Sequence, residues 1–120
     1  MKNAFESVQQ EFMRLNSLLS QVDFEENLLS FAQLAQINDA LTDTYILLNQ
    51  GFCENVTLCK KCIDNRNQLR KLSEVIDVCE EKKSISDDAM LSLEKFTHTI
   101  PEILNKMESV YLESLNTAHA

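Results

Sequence analysis

The chain has 120 residues, of which 44% are hydrophobic and 25% charged, with 19 acidic side chains against 11 basic ones, one Gly, one Pro and no Trp. Gly and Pro normally make up roughly 7% and 5% of a sequence, so sheet folds, which use them as turn punctuation, are excluded. The apolar content is too high for disorder, and no uncharged apolar run reaches the roughly 20 residues of a membrane span. The composition predicts a soluble all-α domain over residues 1–120, with four helices at about 3–22, 24–50, 54–83 and 87–117.

In the first segment Phe5, Val8, Phe12, Leu15, Leu19 and Val22 recur at spacings of 3, 4, 3, 4 and 3, an unbroken heptad seam. A stripe of two apolar positions in seven suits a coiled-coil contact. It is too short to be stable alone, so it packs on another helix of this chain or of a partner.

Asp23 followed by Glu26 reads as an N-cap with its capping-box partner, which starts the second helix at about Phe24. Its apolar positions are Phe24, Leu28, Phe31, Leu34, Ile37, Leu41, Tyr45 and Leu48. With Leu29, Ala32, Ala35, Ala40, Ile46 and Leu47 beside them, this face is much broader than the first seam. A face of that width belongs to a central helix or to one shared with a partner.

Gly51 follows directly, at the usual position of a helix stop. Against a stop, the stripe runs on through Phe52, Val56, Cys59 and Ile63. One glycine costs a helix only about 1 kcal/mol, and one helix over 24–83 would be about 90 Å long. A turn at Gly51 is the preferred reading. The third helix then carries Val56, Cys59, Ile63, Leu69, Leu72, Ile76 and Cys79, and ends on Lys82 and Lys83, whose cations suit its dipole.

The clearest boundary follows: Ser86 as N-cap, Asp87 and Asp88 in the first turn, and Ile85 to Met90 as a hydrophobic staple. The fourth helix repeats the narrow seam with Leu93, Phe96, Ile100, Ile103, Met107 and Val110. Pro101 leaves that spacing undisturbed, so it kinks one helix instead of dividing two, unless Thr97 or Thr99 caps a fresh start.

The charge of -8 opposes nucleic acid, where phosphate neutralisation supplies most of the affinity. It is unevenly spread: residues 1–52 carry net -5, 53–83 net +1 and 84–120 net -4. The middle segment thus either lies against acidic neighbours or forms a solvated face of mixed charge. The start, Met1-Lys2-Asn3-Ala4-Phe5-Glu6, lacks a secretory apolar region, which predicts a cytoplasmic or nuclear chain with reduced thiols.

Three constellations carry possible chemistry. Cys59 and Cys62 have the two-residue spacer of zinc and redox motifs, and Cys53 and Cys79 complete four thiols. On a continuous helix Cys59 and Cys79 lie about 30 Å apart, so Cys59 and Cys79 are expected as small core residues and no metal is expected. His98 offers the histidine of a phosphotransfer bundle, yet Pro101 and Glu102 stand where a cation and a small residue should admit the phosphoryl group. Asp39 and Asp43 share a helix face, without a histidine or glycine-bearing loop nearby, and read as solvated.

The sequence therefore predicts three to four long helices in an antiparallel bundle or an extended coiled-coil hairpin, with few turns to fold tightly on itself. The expected function is non-catalytic: a small helical interaction subunit of a larger coiled-coil assembly, with no cofactor and with other helical subunits as partners. Its expected contact residues are Phe5, Val8, Phe12, Leu15, Leu19, Phe24, Leu28 and Phe31. The alternatives are an acidic helical chaperone or adaptor that binds a partner helix and, from another class, phosphotransfer through His98.

Overall fold

A computed structural model describes residues 4–50 and 60–118. They form four helices, α1 (Ala4–Ser20), α2 (Phe31–Gln50), α3 (Lys60–Lys82) and α4 (Asp87–Ala118). Among the described residues there is no sheet, and the only bridge is an isolated pair, Asp23 with Leu28.

The α1 seam folds inward as the heptad spacing requires. Phe5, Val8, Phe12, Leu15 and Leu19, with Val22 beyond the helix end, are all buried in one core. That core also holds Leu34, Ile37, Leu41 and Leu48 of α2, Leu69, Leu72, Ile76 and Cys79 of α3, and Leu93, Phe96, Ile100, Ile103 and Met107 of α4. α1 ends on tightened bonds, Gln21 N–H to Leu18 O (3.3 Å) and Val22 N–H to Leu19 O (3.1 Å).

The second helix starts seven residues later than the sequence pattern indicates. Asp23 does act as a cap, its Oδ1 accepting from the Glu26 N–H at 3.1 Å. The chain then turns at Asn27, whose φ is 53°, and the Leu28 N–H closes onto the Asp23 carbonyl at 2.9 Å. Asparagine tolerates this left-handed conformation better than most residues. The helix begins at a second, complete capping box: Gln33 N–H donates to Ser30 Oγ (3.1 Å), and Ser30 N–H donates to Gln33 Oε1 (2.9 Å). Leu29 precedes that cap and packs on the core that contains Leu34, the positions of a hydrophobic staple.

α2 and α3 run in opposite directions. Asn38 reaches Ser73 and Asp77, while Asn49, further along α2, meets Arg66, earlier in α3. The chain therefore reverses between Gln50 and Lys60, which overturns the single helix over 24–83. That interval holds Gly51, Phe52, Cys53, Val56 and Cys59, which lie outside the described residues.

The next reversal uses no glycine. Lys83 takes φ 54°, Ser84 N–H donates to Cys79 O (3.1 Å) and Lys83 N–H to Glu80 O (3.3 Å), the two bonds of a Schellman end. Ser86 then caps α4 as the sequence indicates, its Oγ accepting from the Ala89 N–H at 3.1 Å. Ile85 packs on the core and Met90 is buried within it. α4 continues through Pro101. Neither threonine opens a new helix, because Thr97 Oγ1 donates back to Leu93 O and Thr99 Oγ1 to Lys95 O, both at 3.0 Å.

Packing closes a ring in which α1 touches α2 and α4, and α3 touches α2 and α4, while the diagonal pairs are not adjacent. The molecule measures 52 × 25 × 24 Å, close to the about 48 Å of a 32-residue helix such as α4. The sequence offered few Gly and Pro residues for tight folding; in the described turns Asn27 and Lys83 supply the left-handed positions instead.

Candidate functional site

Five of the eight expected contact residues, Phe5, Val8, Phe12, Leu15 and Leu19, lie inside the chain's own core. The heptad seam of α1 is matched intramolecularly, by α2 and α4. Phe24 is half-buried against the same core. Leu28 and Phe31 behave differently, being 63% and 45% exposed. The turn at Asn27 and the late start of α2 remove both from the inward stripe that a helix from Phe24 would have given them. Leu28 also lines a groove with Gln21, Asp23, Leu29, Ser30 and Gln33. Asp23, Glu25 and Glu26 make this turn acidic.

Other exposed large apolar side chains, Met13, Ile46, Val78, Leu91 and Leu112, are spread over all four helices. Isolated exposed apolar residues are ordinary on a folded surface.

Two further grooves run between helices. The α2–α3 groove, about 340 Å³, has Leu41 and Leu69 as its floor and Arg70, Ser73, Glu74 and Asp77 on its α3 wall. Its polar groups are engaged: Asn38 Nδ2 donates to Asp77 Oδ1 (3.1 Å), Ser73 Oγ donates to Asn38 Oδ1 (2.7 Å), and Arg70 pairs with Glu74 at 3.4 Å. Beside it Arg66 donates to Asn49 and lies over the Tyr45 ring, 5.9 Å from its centroid.

The α3–α4 groove, about 280 Å³, has a different character. Leu72, Val75 and Phe96 form its floor, Lys71 and Lys95 stand one on each wall, and Gln68, Ser92 and Thr99 complete it. No carboxylate lines it, although the chain carries 19 acidic residues.

Charge pairing between helices is sparse. Arg14 bonds Glu11 at 2.9 Å on its own helix and Asp43 of α2 at 3.1 Å. The Asp43 and Glu11 carboxylates hold the Arg14 guanidinium above its ordinary value. Asp43 is thus part of a strap between α1 and α2, and Asp39 is exposed. Among the described side chains no ion pair joins α3 to α2 or α4.

Cys79 is a buried free thiol, 3% exposed, in the core position its spacing indicates. Cys62 lies 17 residues earlier on the same continuous helix, about 25 Å away along the axis, so the two cannot share an ion. Cys53 and Cys59 lie outside the described residues, and among the described ones no group of three or more His, Cys, Asp or Glu converges. His98 is exposed on α4, one turn from Glu94 on one side and Glu102 on the other. Two acids on its face oppose the approach of a phosphoryl group. Among the described residues no helix is long and apolar enough to cross a membrane.

Compared with protein-family models, curated proteins and solved structures, the chain matches none.

Proposed function

We propose that the chain is a non-catalytic helical interaction subunit, a cytoplasmic antiparallel bundle that works as part of a larger helical assembly. The supporting observation is the pair Leu28 and Phe31, large apolar side chains exposed three residues apart at the entrance to α2. Leu28 sits in a turn that could have carried a polar residue at no cost to the core. A partner that covers it and Phe31 removes apolar surface from water at roughly 25 cal/mol per Å². Half-buried Phe24 borders the same turn, so the contact set contracts from eight residues to Phe24, Leu28 and Phe31.

The partner in this reading is another helical protein subunit, which docks against the turn and the first part of α2. Affinity purification of the tagged chain from its source cell, in parallel with Leu28→Glu/Phe31→Glu and the control Met13→Glu, tests it. The expected result is a stoichiometric protein partner retained by the wild type and the control and lost by the double variant. Unchanged retention by the double variant, with its fold intact by circular dichroism, overturns the reading.

A further inference from the structure

The lysine-walled groove between α3 and α4 is separate from the turn that carries Leu28, and its chemistry points to a different ligand. Toward α2 the charges of α3 are mixed, with Arg70, Glu74 and Asp77 lining one groove, whereas toward α4 its only charged lining residue is Lys71. Lys95 projects from the opposite wall. Neither lysine has an ion-pair partner among the described residues, whereas Arg14 and Arg70 are both paired. The floor between them, Leu72, Val75 and Phe96, is apolar.

We infer that this groove docks an acidic amphipathic helix of a partner protein, with apolar side chains on the Leu72–Val75–Phe96 floor and carboxylates on either flank facing Lys71 and Lys95. Charge complementarity selects that occupant. A basic segment meets two cations and no anion in the groove, and a nucleic acid would extend past the groove over a chain of net charge -8, whereas a short acidic helix stays within it. The lining runs from Gln68 to Val75 on α3 and from Ser92 to Thr99 on α4, each a rise of about 10 Å. That length accepts two turns of helix, with apolar residues at i and i+3 or i+4 reaching the floor. Each exposed lysine contributes little alone. The pair sets orientation and charge preference, and Val75, the partly exposed member of a floor whose Leu72 and Phe96 belong to the core, offers the apolar contact.

A second copy of this chain is a poorer occupant. None of its carboxylates lines that groove, so seating an acidic face of one copy in another molecule's α3–α4 groove joins two different surfaces. Such a contact propagates into open chains unless the rotation happens to close.

The test uses a synthetic helical peptide of about fifteen residues, with a leucine stripe at helical spacing flanked by glutamates. A matched peptide has every glutamate replaced by lysine. Each is titrated into the isotope-labelled full chain while amide shifts are followed. The glutamate peptide is expected to move amides within 68–75 and 92–99, with affinity falling as salt rises. The variant Lys71→Glu/Lys95→Glu, folded by circular dichroism, is expected to bind it at least roughly tenfold more weakly, since two attractions become two repulsions. Equal binding of the lysine peptide, shifts confined to the 21–31 turn, or undiminished binding by the double variant each overturns the assignment. Self-association of the chain that the double variant abolishes also overturns it, in favour of a second copy.

Discussion

Phe5 and Tyr111 stack face to face, with ring centroids 4.4 Å apart and planes within 5°. The contact ties the first turn of α1 to the last third of α4. Phe5 is buried, and Tyr111 packs against the core at its edge. Aromatic pairs contribute about 0.5–1.5 kcal/mol beyond the area they bury. A double-mutant cycle with Phe5→Leu and Tyr111→Leu, read by urea unfolding, should return a coupling in that range. Strict additivity would show that the rings merely share a neighbourhood.

The Ser30–Gln33 box decides where α2 begins. Ser30→Ala removes the acceptor for the Gln33 N–H and should lower stability by about 1 kcal/mol. Asp23→Ala, which removes a cap inside the turn and not at a helix start, should cost less. Thermal unfolding of the two variants checks the order. If Asp23→Ala is the more damaging, the helix effectively starts at the earlier cap.

Asn38 is the polar hub of the α2–α3 seam, donating to Asp77 and accepting from Ser73. Asn38→Asp sets a carboxylate against Asp77 about 3 Å away. Like charges at that distance raise the folded-state carboxyl pKa above its unfolded value. The native state then binds more protons than the unfolded one, so the penalty is full at neutral pH and relieved as pH falls through the carboxylate range. Relative to wild type the variant should be destabilised by about 1 kcal/mol at pH 7 and recover towards pH 4. A penalty independent of pH would mean that packing, not charge, is lost.

Lys83 holds a left-handed conformation that glycine adopts without steric cost. Lys83→Gly should therefore stabilise the chain, by about 0.5–1 kcal/mol, although it removes a cation from the end of α3. A rise in melting temperature supports this. A fall would show that the charge outweighs the backbone strain.

The sequence made the helical class legible, together with the inward seams of α1 and α4, the Ser86 cap and the continuity through Pro101. The start of α2 was hidden because Asp23-x-x-Glu26 and Ser30-x-x-Gln33 are both capping patterns, and only the reciprocal side-chain bonds at Ser30 separate them. The reversals at Asn27 and Lys83 carried no glycine signal, which made the chain look less able to fold back than it is. The burial of most of the expected contact residues was hidden for a related reason. A heptad stripe requires a facing helix but does not say whose, and the ring of four helices supplies that face to Phe5, Val8, Phe12, Leu15 and Leu19 internally. The lysine-walled groove was invisible in sequence because Lys71 and Lys95 meet only when α3 and α4 pack.

The most direct test of the proposed interaction role is amide hydrogen exchange on the free chain and on the chain in its co-purified complex. Added protection should fall on residues 21–34, around Leu28 and Phe31, while α1 keeps in the complex the protection it has when free. Protection unchanged at 21–34, or an α1 that opens to give its seam to the partner, contradicts that role as placed here.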